Sequence, residues 1–157
     1  KDEARSALKE IFKMTREILL QSYIRGREMT CAVLDHGFSE SAFSLLPTEI
    51  IPRKSHFFDY RAKYDTDGSD EITPPINLPD DLFNAIRHTA VSAHKLIGAR
   101  GFSRTDMILD KDGKIFILEI NTIPGLTKES LLPKAAEATG IGFPEVLDRI
   151  ITSAFGR

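Results

Sequence analysis

The chain has 157 residues, 41% of them hydrophobic and 28% charged, an ordinary globular balance with room for one comfortable core. Its formal charge is −2, with Lys and Arg scattered along the chain, so the basic stripe that a nucleic-acid partner needs is absent. No apolar run approaches the roughly 20 residues that span a bilayer.

Residues 2–13 space Ala4, Leu8, Ile11 and Phe12 for a helix with one buried face. Residues 18–24 and 28–34 read as strands joined at Arg25-Gly26-Arg27, and 42–51 as a third strand in which Pro47 signals an edge or a bulge. Cys31 is the lone cysteine; it excludes a disulfide framework, points to a reducing compartment, and reads as a small buried hydrophobe. Residues 52–79 lose all regularity, and a loop of that length in a compact domain is usually functional or disordered. Its aromatic residues Phe57, Phe58, Tyr60 and Tyr64 favour function.

Residues 80–97 form the strongest predicted helix, with an acidic start and Gly98 as its stop. Residues 101–109 and 114–121 make a hairpin around Asp110-Lys111-Asp112-Gly113. A helix over 127–139 ends at Gly140, and Pro144 opens a last one to about Phe155. Met14, Met29 and Met107 read as core filler, and His36, His56, His88 and His94 show no paired ligand spacing. The expected fold is α+β, an antiparallel sheet of about five strands with helices packed on one side. The start at Lys1-Asp2-Glu3, without a methionine, leads us to expect a piece of a longer protein.

Four polar residues stand where that hairpin should be apolar: Arg104, Asp106, Glu119 and Asn121. Within each strand the two are spaced i and i+2 and share a face. If Leu109 pairs with Lys114, Arg104 falls opposite Glu119 and all four point the same way. A slip of one residue would send them to opposite faces. The other face would then carry Phe102, Met107, Leu109, Phe116, Leu118 and Ile120 as a core side. Three hard oxygen donors suit Mg²⁺. Two such ions about 4 Å apart would clamp transferring phosphate oxygens, with Arg104 stabilising developing negative charge. On spacing alone, a solvated sheet face with a cross-strand ion pair explains the four equally well.

Asn121-Thr122-Ile123-Pro124-Gly125 leaves the strand in a tight turn towards Ser130-Leu131 at a helix start. Backbone N–H groups there, with a hydroxyl beside them, suit an anion such as a carboxylate. Ser130 as a plain helix cap is the simpler alternative.

These segments together resemble a known family. Gly101-Phe102-Ser103-Arg104-Thr105-Asp106, then Leu118 to Thr127, then Ser130-Leu131-Leu132-Pro133 is similar to the C-terminal signature of D-alanine–D-alanine ligases, of the ATP-grasp superfamily. Residues 57–64 resemble that family's mobile active-site loop, within 52–79, and Gly26-Arg27-Glu28 its ribose-binding strand. The resemblance covers nearly the whole chain as a single C-terminal ATP-grasp portion. It implies that Asp106, Glu119 and Asn121 hold two Mg²⁺ ions, or Mn²⁺ in their place. Arg104 and the Gly125 N–H would form the oxyanion site, while Ser130 and the Leu131 N–H would take the carboxylate of the second D-alanine. Glu28 would bind the ribose, Tyr23 and Ile24 the adenine, Lys63 the ATP phosphates, and Phe57 would pack near the nucleotide. Tyr64 would help close the loop, and the Lys63-Tyr64 pair favours a dipeptide over a D-alanyl-D-lactate product. The implied activity is ATP-dependent, ADP-forming ligation of two D-alanines through an acyl phosphate, for peptidoglycan precursors, in the cytoplasm. The implied partners are D-alanine, ATP and the missing N-terminal part, with no nucleic acid and no membrane. The resemblance also allows a homodimer in the full-length enzyme.

Gln21-Ser22 stands where the family usually places an acidic residue and often a Lys, and Arg61 where it often carries Glu. An ATP-grasp ligase for another acid and amine, or a non-catalytic nucleotide- or partner-binding remnant, are the alternatives. The family's first-substrate domain, glycine-rich phosphate loop and two ATP-binding lysines would lie upstream of Lys1. The purified chain alone is therefore expected not to turn over ATP and D-alanine. A phosphate-release assay checks this, and release near the rate of an intact ligase would refute it.

Overall fold

The computed structural model describes residues 2–36, 39–53 and 68–155. Its helices are α1 (Asp2–Ile11), α2 (Asp80–Leu96), α3 (Leu131–Ala138) and α4 (Phe143–Phe155). Its strands are β1 (Gly26–His36), β2 (Ser39–Ser44), β3 (Thr48–Pro52), β4 (Ser69–Ile72), β5 (Phe102–Asp110) and β6 (Ile115–Asn121). All pairings are antiparallel, in the order β4-β3-β1-β5-β6, with β2 also on β1.

β1 organises the sheet. β5 occupies one of its edges from Gly26 to Leu34, and β3 and β2 divide the other. No edge of β1 is left for residues 18–24, so the expected first strand of a hairpin does not form there. That segment carries no ladder, and Leu19 and Leu20 are exposed. Pro47 lies in the break that divides the expected third strand into β2 and β3; its ring removes a ladder donor. Part of the expected irregular stretch 52–79 is ordered after all. β4 pairs with β3, and the Arg53 N–H donates to the Gly68 carbonyl at 3.0 Å. At the start of β1, a Cβ on Gly26 would stand 2.3 Å from the Leu109 carbonyl oxygen, so only a bare α-carbon lets the two strands approach.

Alternation along β1 builds two cores. Met29, Cys31 and Val33 point to one face, where Met107 and Leu109 of β5 join Ile86 and Ala90 of α2. Ala32 and Leu34 point to the other and meet Leu45, Leu132, Ala135, Ala136 and Val146 under α3 and α4. The antiparallel sheet with packed helices is as expected, but the helices stand on both faces rather than one. The unbroken run Cys31-Ala32-Val33-Leu34 is the signature of a strand buried on both sides. Met29 and Met107 fill the core, while Met14 is 83% exposed and does not. Nor does α1 bury a face: an apolar stripe asks for a partner surface without supplying one, and among the described residues none covers it. Cys31 is inert, its thiol pushed up to about 12 by burial.

One buried polar link ties α2 to the sheet. His94 Nδ1 lies 2.7 Å from Ser103 Oγ and its Nε2 lies 3.2 Å from Asp35 Oδ1. A neutral ring satisfies both contacts, accepting from the serine hydroxyl and donating to the carboxylate. Burial lowers the His94 pKa below its ordinary value, against the pull of Asp35 and with help from Lys95. Below about pH 6.5 the unfolded chain takes up a proton that the folded chain resists, so stability falls as pH drops through that value towards the folded pKa. Urea denaturation from pH 7.5 to 5 is expected to show a His94→Gln variant with a shallower loss than the unsubstituted chain. Parallel curves would refute the linkage.

Candidate functional site

The polar hairpin is β5 and β6, and its register differs from expectation twice. Leu109 faces Ile115 and Ile108 faces Phe116, one residue away from the expected Leu109–Lys114 alignment. Carried down the ladder, that offset would set Arg104 opposite Ile120 and turn Glu119 and Asn121 to the other face. It is not carried. Met107 faces Ile117 but Asp106 faces Glu119, so Leu118 is an extra residue in β6, a bulge. The bulge restores the parity. Arg104 therefore lies opposite Asn121 rather than Glu119, and all four polar residues share one face as expected.

The apolar assignments shift with the register. Met107, Leu109 and Ile120 keep the core side, Ile115 joins them, and Phe116 moves to the polar side, where Lys114 Nζ lies 4.6 Å from its ring centre. Leu118 is 44% exposed rather than core, and Phe102 packs into the second core under α3 and α4.

Asp106 is the centre of the face. It is 8% exposed and receives three hydrogen bonds. Thr30 Oγ1 donates to Oδ1 at 2.7 Å, and Arg104 donates from Nε to Oδ1 at 2.9 Å and from Nη2 to Oδ2 at 2.8 Å. Burial opposes the charge on Arg104, but the hydrogen bond and charge of Asp106, with the charges of Glu119 and Glu71, outweigh it and raise its pKa. The guanidinium is permanently cationic, and its Nη1 has no partner among the described residues.

β6 ends in a turn fixed by its own last residue, Asn121 Oδ1 accepting the Ile123 N–H at 3.1 Å. The turn brings Gly125 against Ser130, where a Cβ would stand 2.6 Å from Ser130 Oγ. Ser130 occupies the N-cap position of α3 but makes no capping bond to it. Its hydroxyl instead takes the Thr127 N–H at 3.2 Å and pairs with Thr127 Oγ1 at 2.9 Å. The first-turn N–H groups of Leu131 and Leu132 thus keep their donors, and Pro133 has none to offer.

Three residues join the face that the sequence reading passed over. Thr30 lies opposite Asp106 in β1, and its signal was the i, i+2 spacing of Glu28 and Thr30. Lys134, one turn beyond Ser130, bonds Glu71 of β4 at 3.0 Å and approaches Glu129 at 3.4 Å. Burial of Lys134 is outweighed by those carboxylates, chiefly Glu71, and its pKa is raised. No sequence spacing announces a link between β4 and α3.

Glu28 lies on the same face, opposite Ile108 and Ile50. Tyr23 and Ile24 line a groove of about 630 Å³ together with Arg25, Gly26, Arg27 and the hairpin residues Leu109 to Asp112. Phe57, Lys63 and Tyr64, with His56 and Arg61, lie outside the described residues. Among the described residues no three His, Cys, Asp or Glu side chains gather as a metal cage. Asp106 and Glu119 with the Asn121 amide instead put three oxygen-bearing side chains of the hard-donor type on one face.

Comparison with known proteins accords with this geometry. The family described as "D-ala D-ala ligase C-terminus" matches residues 1–152. A D-alanine–D-alanine ligase of Desulfotalea psychrophila (strain LSv54 / DSM 12343) is 44% identical over 85% of the chain and 41% of its own length. The ATP complex of the Bacillus anthracis D-alanine–D-alanine ligase superposes with a TM-score of 0.77 at 35% identity, over 99% of this chain and 48% of that one. The VanG D-Ala:D-Ser ligase of Enterococcus faecalis gives 0.79 at 34% identity, over 96% and 43%. The chain spans under half the length of the curated relatives it matches.

The Gly125–Ser130 contact is testable by itself. Gly125→Ala is expected to push the Ser130 hydroxyl off Thr127, because the new methyl claims its space. Amide hydrogen exchange reports it: Thr127 loses protection while β5 keeps its own. Unchanged Thr127 protection would refute the contact.

Proposed function

The chain belongs to the D-alanine–D-alanine ligase C-terminal family, and from that premise we propose that it is the metal- and acceptor-binding part of an ATP-dependent, ADP-forming ligase joining two D-alanines. The observation that carries the reading is the bulge-restored face, on which Arg104, Asp106, Glu119 and Asn121 stand together beside the first turn of α3. In the proposed reaction the carboxylate of the first D-alanine attacks the terminal phosphorus of ATP, giving an acyl phosphate and ADP. The amine of the second then attacks the acyl carbon, loses a proton, and phosphate leaves as the peptide bond closes.

Each residue has a role that its surroundings support. Arg104, immobilised by two bonds to Asp106, keeps Nη1 for the oxyanion of the tetrahedral intermediate, with the Gly125 N–H as a second donor. The Leu131 N–H and the Ser130 hydroxyl receive the acceptor's carboxylate at the helix start. Glu28 takes the ribose hydroxyls, and the backbone of Tyr23 and Ile24, which line the groove, takes the adenine. Asp106, Glu119 and Asn121 would hold Mg²⁺ or Mn²⁺, whose charge screens the phosphate oxygens when bound. Lys63, Phe57 and Tyr64 complete the proposal on the sequence likeness alone. No helix among the described residues is long and apolar enough to cross a membrane. The lone, buried Cys31 supports a cytoplasmic setting. D-Serine as the acceptor is the second reading, which the likeness to the Enterococcus faecalis ligase favours.

Calorimetric titration of the chain with Mg-ADP is expected to show binding. Glu119→Gln should weaken it about tenfold or more, the scale of one charged contact. No binding, or binding indifferent to Glu119→Gln, would overturn the assignment of the face. Joined to the upstream half its relatives carry, the chain should release ADP with D-alanine, and release with L-alanine alone would overturn the substrate.

A further inference from the structure

We infer that Thr30 is a positioning residue that decides which oxygen of Asp106 serves a cation. The inference rests on the proposed metal role of this face and adds a residue to it. A carboxylate offers two acceptor sites on each oxygen. Oδ1 of Asp106 spends both, one on the Thr30 hydroxyl at 2.7 Å and one on Arg104 Nε at 2.9 Å. Oδ2 spends one, on Arg104 Nη2 at 2.8 Å, and keeps one. A divalent cation is therefore received by Oδ2, through a single oxygen, while Arg104 stays in place.

Arg104 and Thr30 divide the work. The guanidinium alone fixes the carboxylate plane but leaves one site open on each oxygen, so a cation could choose either. The Thr30 hydroxyl removes that choice. It is well placed to do so, since Thr30 is 2% exposed, lies opposite Asp106 in the ladder, and is held by β1, which β5 and β3 pair on both sides. Outer-shell hydrogen bonds of this kind usually contribute about 10–100-fold in metal affinity.

Mn²⁺ added alone to the chain is the probe, read by paramagnetic broadening of backbone amide resonances and by the electron paramagnetic resonance signal of free Mn²⁺. Thr30→Val keeps the shape and removes the hydroxyl; Thr30→Ser restores it. Thr30→Val is expected to weaken Mn²⁺ binding about tenfold and to spread the broadening pattern around residues 105–107, with the urea midpoint recorded as a check on folding. Thr30→Ser should return both readouts towards the unsubstituted chain. Equal affinity and an identical broadening pattern in Thr30→Val would overturn the role of Thr30. So would a Thr30→Ser variant as weak as Thr30→Val, because loss of packing would then explain the effect. Should Mn²⁺ binding in the unsubstituted chain be absent, or persist undiminished in Asp106→Asn, the metal reading of the face itself fails, and the inference with it.

Discussion

Parity in one hairpin decides which side chains this domain gathers on its polar face. A β-strand gives each side chain one of two faces, and a pairing offset of one residue exchanges them. The β5–β6 turn leaves the hairpin with that offset, and Leu118 cancels it halfway along. Without the bulge, Glu119 and Asn121 would face α2 and the largely apolar side of the sheet, where burying a carboxylate costs several kcal/mol. Leu118 itself is left 44% exposed. The fold accepts an exposed leucine to bring two oxygen donors to the face that already holds Asp106.

That face is divided between two duties. Towards Leu34 and Phe102 it is covered by α3 and α4 and forms a core. Towards Glu28 and Ile108 it turns polar, with Thr30, Asp106 and Arg104 at the boundary. Asp106 tolerates 8% exposure because three donors neutralise it, two of them from a guanidinium that is itself anchored by the contact. The pair makes a rigid base, and rigidity matters more here than net stabilisation, since buried ion pairs often contribute little to folding free energy. The opposite face carries no such division. It is apolar beneath α2, with a neutral His94 reaching Asp35 and Ser103 and the Arg87 guanidinium donating to Ser44 Oγ at 2.9 Å.

Local pattern made much of this legible. α2 announced itself by its acidic first turn, apolar spacing and Gly98, which holds φ +66 past its end, and the hairpin by its turn residues. The shared face of Arg104, Asp106, Glu119 and Asn121 was readable too, although through a register that differs from the real one at every pair. Two deviations that alter parity cancelled, and neither leaves a mark in residue identity: a bulge at an ordinary leucine looks like any other strand position. What could not be read was partnership at long range. Residues 18–24 had the composition of a strand, but no edge of β1 was left for them. Lys134 and Glu71 are 63 residues apart and meet only because α3 lies over the face to which β4 contributes. α1 failed in the reverse sense, carrying an apolar stripe without a described surface to bury it.

The donor count then constrains how the proposed site assembles. Two carboxylates and one amide, with one carboxylate already bonded to Arg104, leave a hard divalent cation most of its shell to fill from elsewhere. Mn²⁺ alone would fill the rest of that shell with water, and with nucleotide present phosphate oxygens would take those positions. Arg104 remains beside them with Nη1 unspent, and the Leu131 N–H stands at the end of the Gly125 turn. In the proposed reaction, charge that accumulates on the transferring phosphate and then on the tetrahedral oxygen meets donors already fixed in place, because the sheet and the ion pair set them before any substrate binds.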